Sequence, residues 1–278
     1  METLKIAIPN KGRLREPSLA LLRAAGIEIE EPNGSLFVKS ADGLCTILFA
    51  RADDVPKYVE SGAADCGITG SDMIAEAGAK VQQLCPVGFG KCRISLAAKK
   101  GTSLQSLSGK TIATRLPNIA SSFFASKGME VKVLKVAGAT ELTPYLGIAD
   151  AIVDQVSTGA TLALNSLAEL EKIMDSQALL ICSEKSRQKT EELALSIKGV
   201  LLAEEKAYLM LNVEEKNLEA VANLLGGMKS PTMMPLATKG MFALHSVVLR
   251  RGVNSLIYKL KIAGASDILL LNIERIVK

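Results

Sequence analysis

Along most of this chain a short apolar run ends in a loop of small or charged residues, and a helix-patterned segment follows the loop. That recurrence constrains the fold more than any other feature. A strand covered on both faces reads as a continuous apolar run, and a helix must carry the chain back before the next parallel strand starts. Leu4 to Ile8 is the first strand; Pro9-Asn10-Lys11-Gly12-Arg13 is its loop, and Leu14 to Ala25 is helical, stopped by Gly26. Cys45 to Ala50 is a strand followed by the helix Val55 to Ser61, and Ala64 to Thr69 by the helix Met73 to Ala77, capped by Gly70-Ser71-Asp72. Near residue 90 the chain enters a second lobe. There Ile94 to Ala98, Lys110 to Thr114 and Val131 to Val136 are strands. Helices are expected over Ile119 to Lys127 and from Ala139-Thr140-Glu141 through Leu146. Gln177 to Ser183 returns to the first lobe, and the charged segment Glu184 to Glu192 has the pattern of a solvated helix. The order predicts α/β lobes with parallel sheets and right-handed crossovers.

From about residue 204 the pattern changes. Lys206 to Val213 is a strand, and Asn217 to Leu225 is a helix closed by Gly226-Gly227. The loop Lys229-Ser230-Pro231-Thr232 precedes Met233 to Ala237. Met241 to Leu249, the helix Val253 to Ala263 and the strand Asp267 to Ile273 complete a β-α-β-β-α-β order, the ferredoxin-like plan. The expected division is 1–90 with 177–203 as one lobe, 91–176 as the second, and 204–278 as a C-terminal domain.

Composition excludes several classes. Aromatic residues make up 4% with no Trp, which disfavours a β-sandwich, and no aromatic platform or basic block suggests nucleic acid. The net charge of +4 is mild and would help attract phosphorylated small molecules. Five cysteines without a C-x-x-C spacing and a single histidine, His245, argue against zinc and for reduced thiols. No run of about 18 apolar residues suggests a membrane span, and the expected location is the cytoplasm.

One stretch carries the chemistry: Asp150-Ala151-Ile152-Val153-Asp154-Gln155-Val156-Ser157-Thr158-Gly159-Ala160-Thr161-Leu162. Ala151 to Val153 is a buried strand flanked by two acids, and it empties into a loop of hydroxyls around a glycine. A helix, Leu162 to Met174, is expected next. Backbone N–H groups at such a junction hold phosphate, and two acids beside a phosphate suit ribose hydroxyls or Mg²⁺. A strand, a turn and a Ser/Thr cap would read the same way. At other strand ends Lys11, Arg13 and Arg51 would gather on one edge if the sheet is parallel. They suit a phosphate and a solvated loop equally well.

The segment Glu141-x5-Gly147-x-Ala149-x2-Ile152-x-Asp154-x-Val156-x-Thr158-Gly159-x-Thr161-Leu162 resembles the signature of ATP phosphoribosyltransferase, the first enzyme of histidine biosynthesis. Asn10 to Leu14, Gly67 to Asp72, Gly88 to Arg93, Ser230-Pro231-Thr232 and Leu260 to Leu269 resemble further family motifs in order. Gln155 departs from the pattern, standing where an apolar residue is usual, and Asn254-Ser255 stands where an aromatic is frequent. The resemblance is to the long form. It implies a two-lobed, periplasmic-binding-protein-like catalytic core with a C-terminal ferredoxin-like (ACT-like) regulatory domain. It also implies dimers that assemble into hexamers, dependence on Mg²⁺ and feedback inhibition by histidine.

On that resemblance the substrates are ATP and phosphoribosyl pyrophosphate (PRPP). Asp154, Asp150, Lys11 and Arg51 are the expected catalytic residues. Glu141, Asp150, Asp154 and Ser157, Thr158, Gly159, Ala160 and Thr161 would bind PRPP. Lys11, Gly12, Arg13, Arg51 and Asp72 would meet ATP or pyrophosphate. Asp150 and Asp154 would hold Mg²⁺, and Ser230, Thr232 and Asp267 would bind histidine. Cys92 and His245 read as packing residues. A two-lobed binding protein without catalysis is the rival reading.

Overall fold

A computed structural model of the chain describes residues 3–30, 35–226 and 230–278. The chain divides into two compact units, one of residues 1–23 with 27–194 and one of 24–26 with 195–278. In the first unit the elements run β1 (Leu4–Pro9), α1 (Arg15–Ala24), β2 (Phe37–Lys39), β3 (Cys45–Ala50), α2 (Val55–Glu60), β4 (Cys66–Gly70), α3 (Ser71–Ala77) and β5 (Gln82–Pro86). They continue as β6 (Cys92–Lys99), β7 (Thr111–Thr114), α4 (Pro117–Ser126), β8 (Lys132–Lys135), β9 (Ala151–Val156), α5 (Ala160–Leu164), β10 (Leu167–Ser176) and β11 (Ala178–Cys182), and the division between the units falls within the long helix α6 (Arg187–Glu204).

Two sheets result, with orders β2-β3-β1-β4-β11-β5 and β10-β6-β9-β7-β8. The chain crosses once from β5 to β6 and returns from β10 to β11, which is the two-lobed plan. The sheets are mixed, not parallel throughout. β1 is parallel to β3 and β4, and β7 to β8 and β9. β6 and β11, the strands reached by crossing between sheets, run antiparallel to their neighbours. No crossover helix precedes them, so nothing requires a parallel partner. β2 and β3 form a hairpin, its turn tied by Leu44 N–H to Asp42 Oδ1 at 2.9 Å.

Two expected helices are absent. The stretch expected as a helix from Leu162 to Met174 is one helical turn and then β10, a ten-residue strand. Leu170, Ile173 and Met174 pack on one face of the sheet and Leu167 on the other, so its apolar residues fall at the three- and four-residue spacings of a helix without sharing one face. β10 breaks register between Glu169 and Glu171 and again between Lys172 and Met174, and each bulge adds one residue to the two-residue strand period. Between Ala139 and Leu146 there is only a 3₁₀ turn, Thr140–Leu142; Pro144 and Gly147 follow too closely for a helix to propagate.

Asp65 joins the start of β4 to β1 and α6. Its carboxylate accepts Lys5 N–H at 2.8 Å, Ser186 Oγ at 3.0 Å and Lys189 Nζ at 2.9 Å. Burial pushes the carboxyl up, but these donors outweigh it and hold Asp65 below its ordinary value. A depressed pKa contributes stability that is present above the unfolded value and lost as pH falls through the folded one. Asp65→Ala is therefore expected to cost about 1–2 kcal/mol at neutral pH, with the difference from the parent shrinking on acidification. Thermal unfolding from pH 7 down to pH 3 measures it; a constant difference across that range contradicts the assignment.

The second unit contains β12 (Lys206–Glu214), α7 (Leu218–Leu225), β13 (Thr232–Pro235), β14 (Met241–Leu249), α8 (Val253–Ile262) and β15 (Ala265–Asn272). Its antiparallel sheet has the order β13-β14-β12-β15, so the ferredoxin-like expectation holds. Leu209, Leu211, Val213 and Leu244 alternate onto one face and pack with Val221 and Leu225 of α7 and with Val253 and Leu260 of α8. Gly227 and Lys229, named in the expected helix stop and loop, lie outside the described residues. Among the described residues no helix is long and apolar enough to cross a membrane.

Candidate active site

β9 organises the site. Its side chains alternate: Ala151 and Val153 pack with Ile112 and Phe124 on one face, while Ile152 and Val156 pack with Ala97 and Leu162 on the other. The same alternation sends Asp154 and Gln155 to opposite faces. After Val156 the chain leaves the sheet through Ser157-Thr158-Gly159. Gly159 has φ +81° and precedes the short helix α5, a backbone turn that residues with a Cβ rarely adopt. Ser157, Thr158, Ala160 and Thr161 are exposed and Gly159 half-exposed, so the hydroxyls and amides of this loop are open to a ligand.

Two arginines brace the loop. Arg93 on β6 donates from Nη1 to the Ser157 carbonyl at 3.1 Å, and grips Glu169 of β10 through Nε at 2.8 Å and Nη2 at 2.6 Å. Ser95 Oγ adds a bond to Glu169 at 2.8 Å. Arg93 foremost, with Ser95, holds the Glu169 carboxyl below its ordinary value. From the other lobe Arg13 reaches Ser157 Oγ at 3.3 Å and Cys92 Sγ at 2.9 Å. The two lobes thus meet at the loop after β9. Cys92 is a hydrogen-bond acceptor there, more than the packed thiol expected.

Asp154 lies beside this loop with its carboxyl raised above the ordinary value. Burial is the main cause. The Gln155 amide, donating at 2.7 Å, the Thr140 side chain and the Arg115 charge oppose it, and the Glu141 charge reinforces it. The Glu141 charge is thus felt at Asp154. Asp150 lies apart. It precedes β9, and four residue steps along the strand separate it from Asp154 by about 13 Å. Its carboxylate caps the far edge instead, accepting Thr111 N–H at 2.9 Å with Lys110 at 3.9 Å. The paired-acid reading of Asp150 for catalysis, PRPP and metal is corrected accordingly.

Lys11, Gly12 and Arg51 are exposed in the loops after β1 and β3. Those strands are parallel with Pro9 opposite Ala50, so the three basic residues Lys11, Arg13 and Arg51 do gather at one sheet edge. Asp72 was expected there as an ATP or pyrophosphate contact, and it is not available. It is 1% exposed, and its two oxygens accept Ser176 Oγ at 2.7 Å and Gln155 Nε2. Nor does Asp72 cap α3: Gly70 is the cap residue, and Asp72 lies inside the first turn.

In the C-terminal unit the expected histidine contacts are dispersed. Thr232 is on edge strand β13 and pairs with His245, whereas Asp267 is on β15 at the opposite edge, three strands away. One copy of the chain does not bring Thr232 and Asp267 together, and Ser230 precedes Thr232. Asp267 accepts Asn212 Nδ2 at 3.1 Å with φ +47°. His245 is a packing residue as read, with Nδ1 2.9 Å from the Tyr208 hydroxyl and the rings edge to face.

Arg93, Glu169, Arg115, Thr140 and Gln155 are the site residues that sequence reasoning did not select. Arg93 stood in a quoted motif, and Gln155 had been noted only as a departure. Glu169 was hidden by the mistaken helix.

A loop of hydroxyls and amides at a strand end, a buried acid beside it and cations arriving from a second lobe mark the candidate active site of a two-lobed α/β protein. Comparison with known proteins narrows that class. The ATP phosphoribosyltransferase family model matches residues 51–201, and the model for the C-terminal domain of the same family matches residues 203–275. An ATP phosphoribosyltransferase of Methanocella arvoryzae is 44% identical over 99% of this chain and all of its own length. One of Natronomonas pharaonis is 42% identical over 99% of this chain and all of its own length. Among solved structures, a chain of the ATP phosphoribosyl transferase (HisG:HisZ) complex from Thermotoga maritima is 32% identical. The match covers 70% of this chain and 98% of that one, with a TM-score of 0.63. The chain belongs to the ATP phosphoribosyltransferase family of histidine biosynthesis, in its long form with the C-terminal domain.

Proposed function

We propose that the protein joins PRPP to ATP at N1 of the adenine, giving phosphoribosyl-ATP and pyrophosphate. The bond between the anomeric carbon and the pyrophosphate oxygen breaks, and a bond from that carbon to N1 forms. The observation that carries the reading is the open loop Ser157 to Thr161 with the buried Asp154 beside it and Arg13 arriving from the other lobe. The loop suits the 5′-phosphate, and Asp154 with Glu141 suits the ribose hydroxyls. Positive charge that develops on the ribose in the transition state favours an ionised Asp154, which is the form that burial disfavours in the free protein. Lys11, Arg51 and Arg13 lie where a pyrophosphate leaving group needs cations. Nothing in the site calls for a covalent nucleophile, and catalysis is positioning with electrostatic stabilisation.

Among the described residues no three acids, cysteines or histidines converge on one point. Asp154 and Glu141 are a pair of carboxylates, which fits Mg²⁺ held by one or two acids and by substrate phosphates. Such an ion would neutralise charge on the departing pyrophosphate. Asp150 has no part in that set. The rival reading, a binding protein without catalysis, has no observation in its favour.

The test is direct: mix the protein with ATP, PRPP and Mg²⁺ and follow the absorbance of the modified adenine. No product at any concentration of both substrates rejects the proposal. Histidine is proposed as a feedback inhibitor acting through the C-terminal unit, and self-association into dimers and hexamers would allow contacts that one copy leaves dispersed. Free histidine should then inhibit the full chain, and a folded, active truncation after about residue 203 should be insensitive. Equal inhibition of both would move the effector site to the catalytic lobes.

A further inference from the structure

Asp72 and Gln155 form a part-buried hydrogen bond between the lobes that the reaction as described does not use. Asp72 is on α3, in the lobe of β1 to β5, and Gln155 is on β9 of the other lobe. The Asp72 carboxylate folds back over Gly70, where a Cβ would lie 2.1 Å from Oδ1, so only glycine at 70 leaves it room. Its surroundings are built to hold it. Ser176 Oγ donates to Oδ1 at 2.7 Å and accepts the Asp72 amide at 3.2 Å, while Ser71 Oγ lies 3.2 Å from Ser176 Oγ and 3.3 Å from Gln177 N–H. Ser176 and Gln177 are the residues through which the chain returns from the second lobe to the first. The Gln155 side chain therefore closes on the same point at which the lobes are connected.

Gln155 also touches the reacting site. Its backbone amide donates to Asp154 Oδ1 at 2.7 Å, so one residue is bound at its side chain to the first lobe and at its backbone to the Asp154 carboxylate. We infer that Gln155 is a positioning residue: its amide, seated on Asp72, sets the lobes against each other and fixes Asp154 for the ribosyl donor. An apolar residue at 155 would leave a buried carboxylate oxygen without its side-chain donor, which is costly in a dry site. The inference deepens the proposed function and rests on it for the identity of the donor.

Three variants and two measurements test it. Gln155→Leu removes the donor, Asp72→Ala removes the acceptor, and Asp72→Asn keeps a partner because the Gln155 amide can turn over and accept from Asn. With ATP and PRPP supplied, kcat/KM for PRPP is expected to fall at least about tenfold in Gln155→Leu and Asp72→Ala and to stay within about threefold in Asp72→Asn. Without any ligand, hydrogen exchange at the amides of Asp72 and Gln155 is expected to speed up about tenfold in the first two variants only. Parent-like kinetics in Gln155→Leu, or equal losses in Asp72→Asn and Asp72→Ala, overturn the assignment. If the parent makes no product, the reaction assigned above fails, and ligand-free exchange alone then decides whether the lobes are held by this pair; unchanged exchange in Gln155→Leu overturns it.

Discussion

Asp154→Asn is expected to lose at least about tenfold in kcat/KM, roughly 1.4 kcal/mol of transition-state stabilisation, while melting no lower than the parent at pH 8. The two halves come from the same observation. Burial holds the Asp154 carboxyl above its ordinary value, so the fold disfavours the charge that the reaction needs. Because the folded pKa lies above the unfolded one, ionisation costs stability at high pH. That cost disappears as pH falls through the folded pKa towards the unfolded value. Asparagine keeps an oxygen to accept the Gln155 amide but carries no charge, so it escapes the cost. The stability difference should be largest at pH 8 and shrink steadily as pH falls, vanishing only below the ordinary carboxylate range. Near-normal kinetics would remove Asp154 from the site; a large drop in melting temperature at pH 8 would mean that the carboxylate is stabilising and the burial argument wrong. Such a trade between stability and activity is expected of a group kept for chemistry.

What the sequence revealed about this region, and what it concealed, has a physical pattern. The loop Ser157 to Thr161 was legible because a buried strand, small hydroxyl residues and a glycine at positive φ are all local requirements, written within a few residues of each other. The basic edge was legible for the same reason once β1 and β3 were taken as parallel. Three misreadings arose where local pattern and tertiary demand part company. β10 looked helical because its apolar residues, spread over both faces of a twice-bulged strand, fall at helix-like spacings. Asp150 looked like a partner of Asp154 because they flank one strand, yet a strand of that length carries its two ends to opposite edges of the sheet. Asp72 looked like a cap open to a ligand, and only the return of the chain at Ser176 shows that it is sealed between lobes. Gln155 gave a signal of a different kind, a second polar side chain next to Asp154 in a largely apolar strand, and its meaning depended on an acid 83 residues away.

Replacement of Arg93 is expected to produce the second large effect. Arg93 is the joint between the loop after β9 and the sheet: one edge of its guanidinium grips the Glu169 carboxylate and another nitrogen holds the Ser157 carbonyl. These are two separate directions served by one rigid plane. Arg93→Ala should release the Ser157 carbonyl and leave Glu169 with Ser95 alone, so the loop must be ordered by the substrate itself. The KM for PRPP is expected to rise at least about tenfold, with a smaller change for ATP. Arg93→Lys keeps the charge but not the fork. A single ammonium at the end of a flexible stem does not reproduce the paired grip on Glu169 together with the bond to the loop, so lysine should recover less than half of the free-energy loss. If charge alone mattered, lysine would restore binding almost fully. Steady-state kinetics for PRPP at saturating ATP separates the two outcomes, and full recovery by lysine would make Arg93 a source of field instead of a brace.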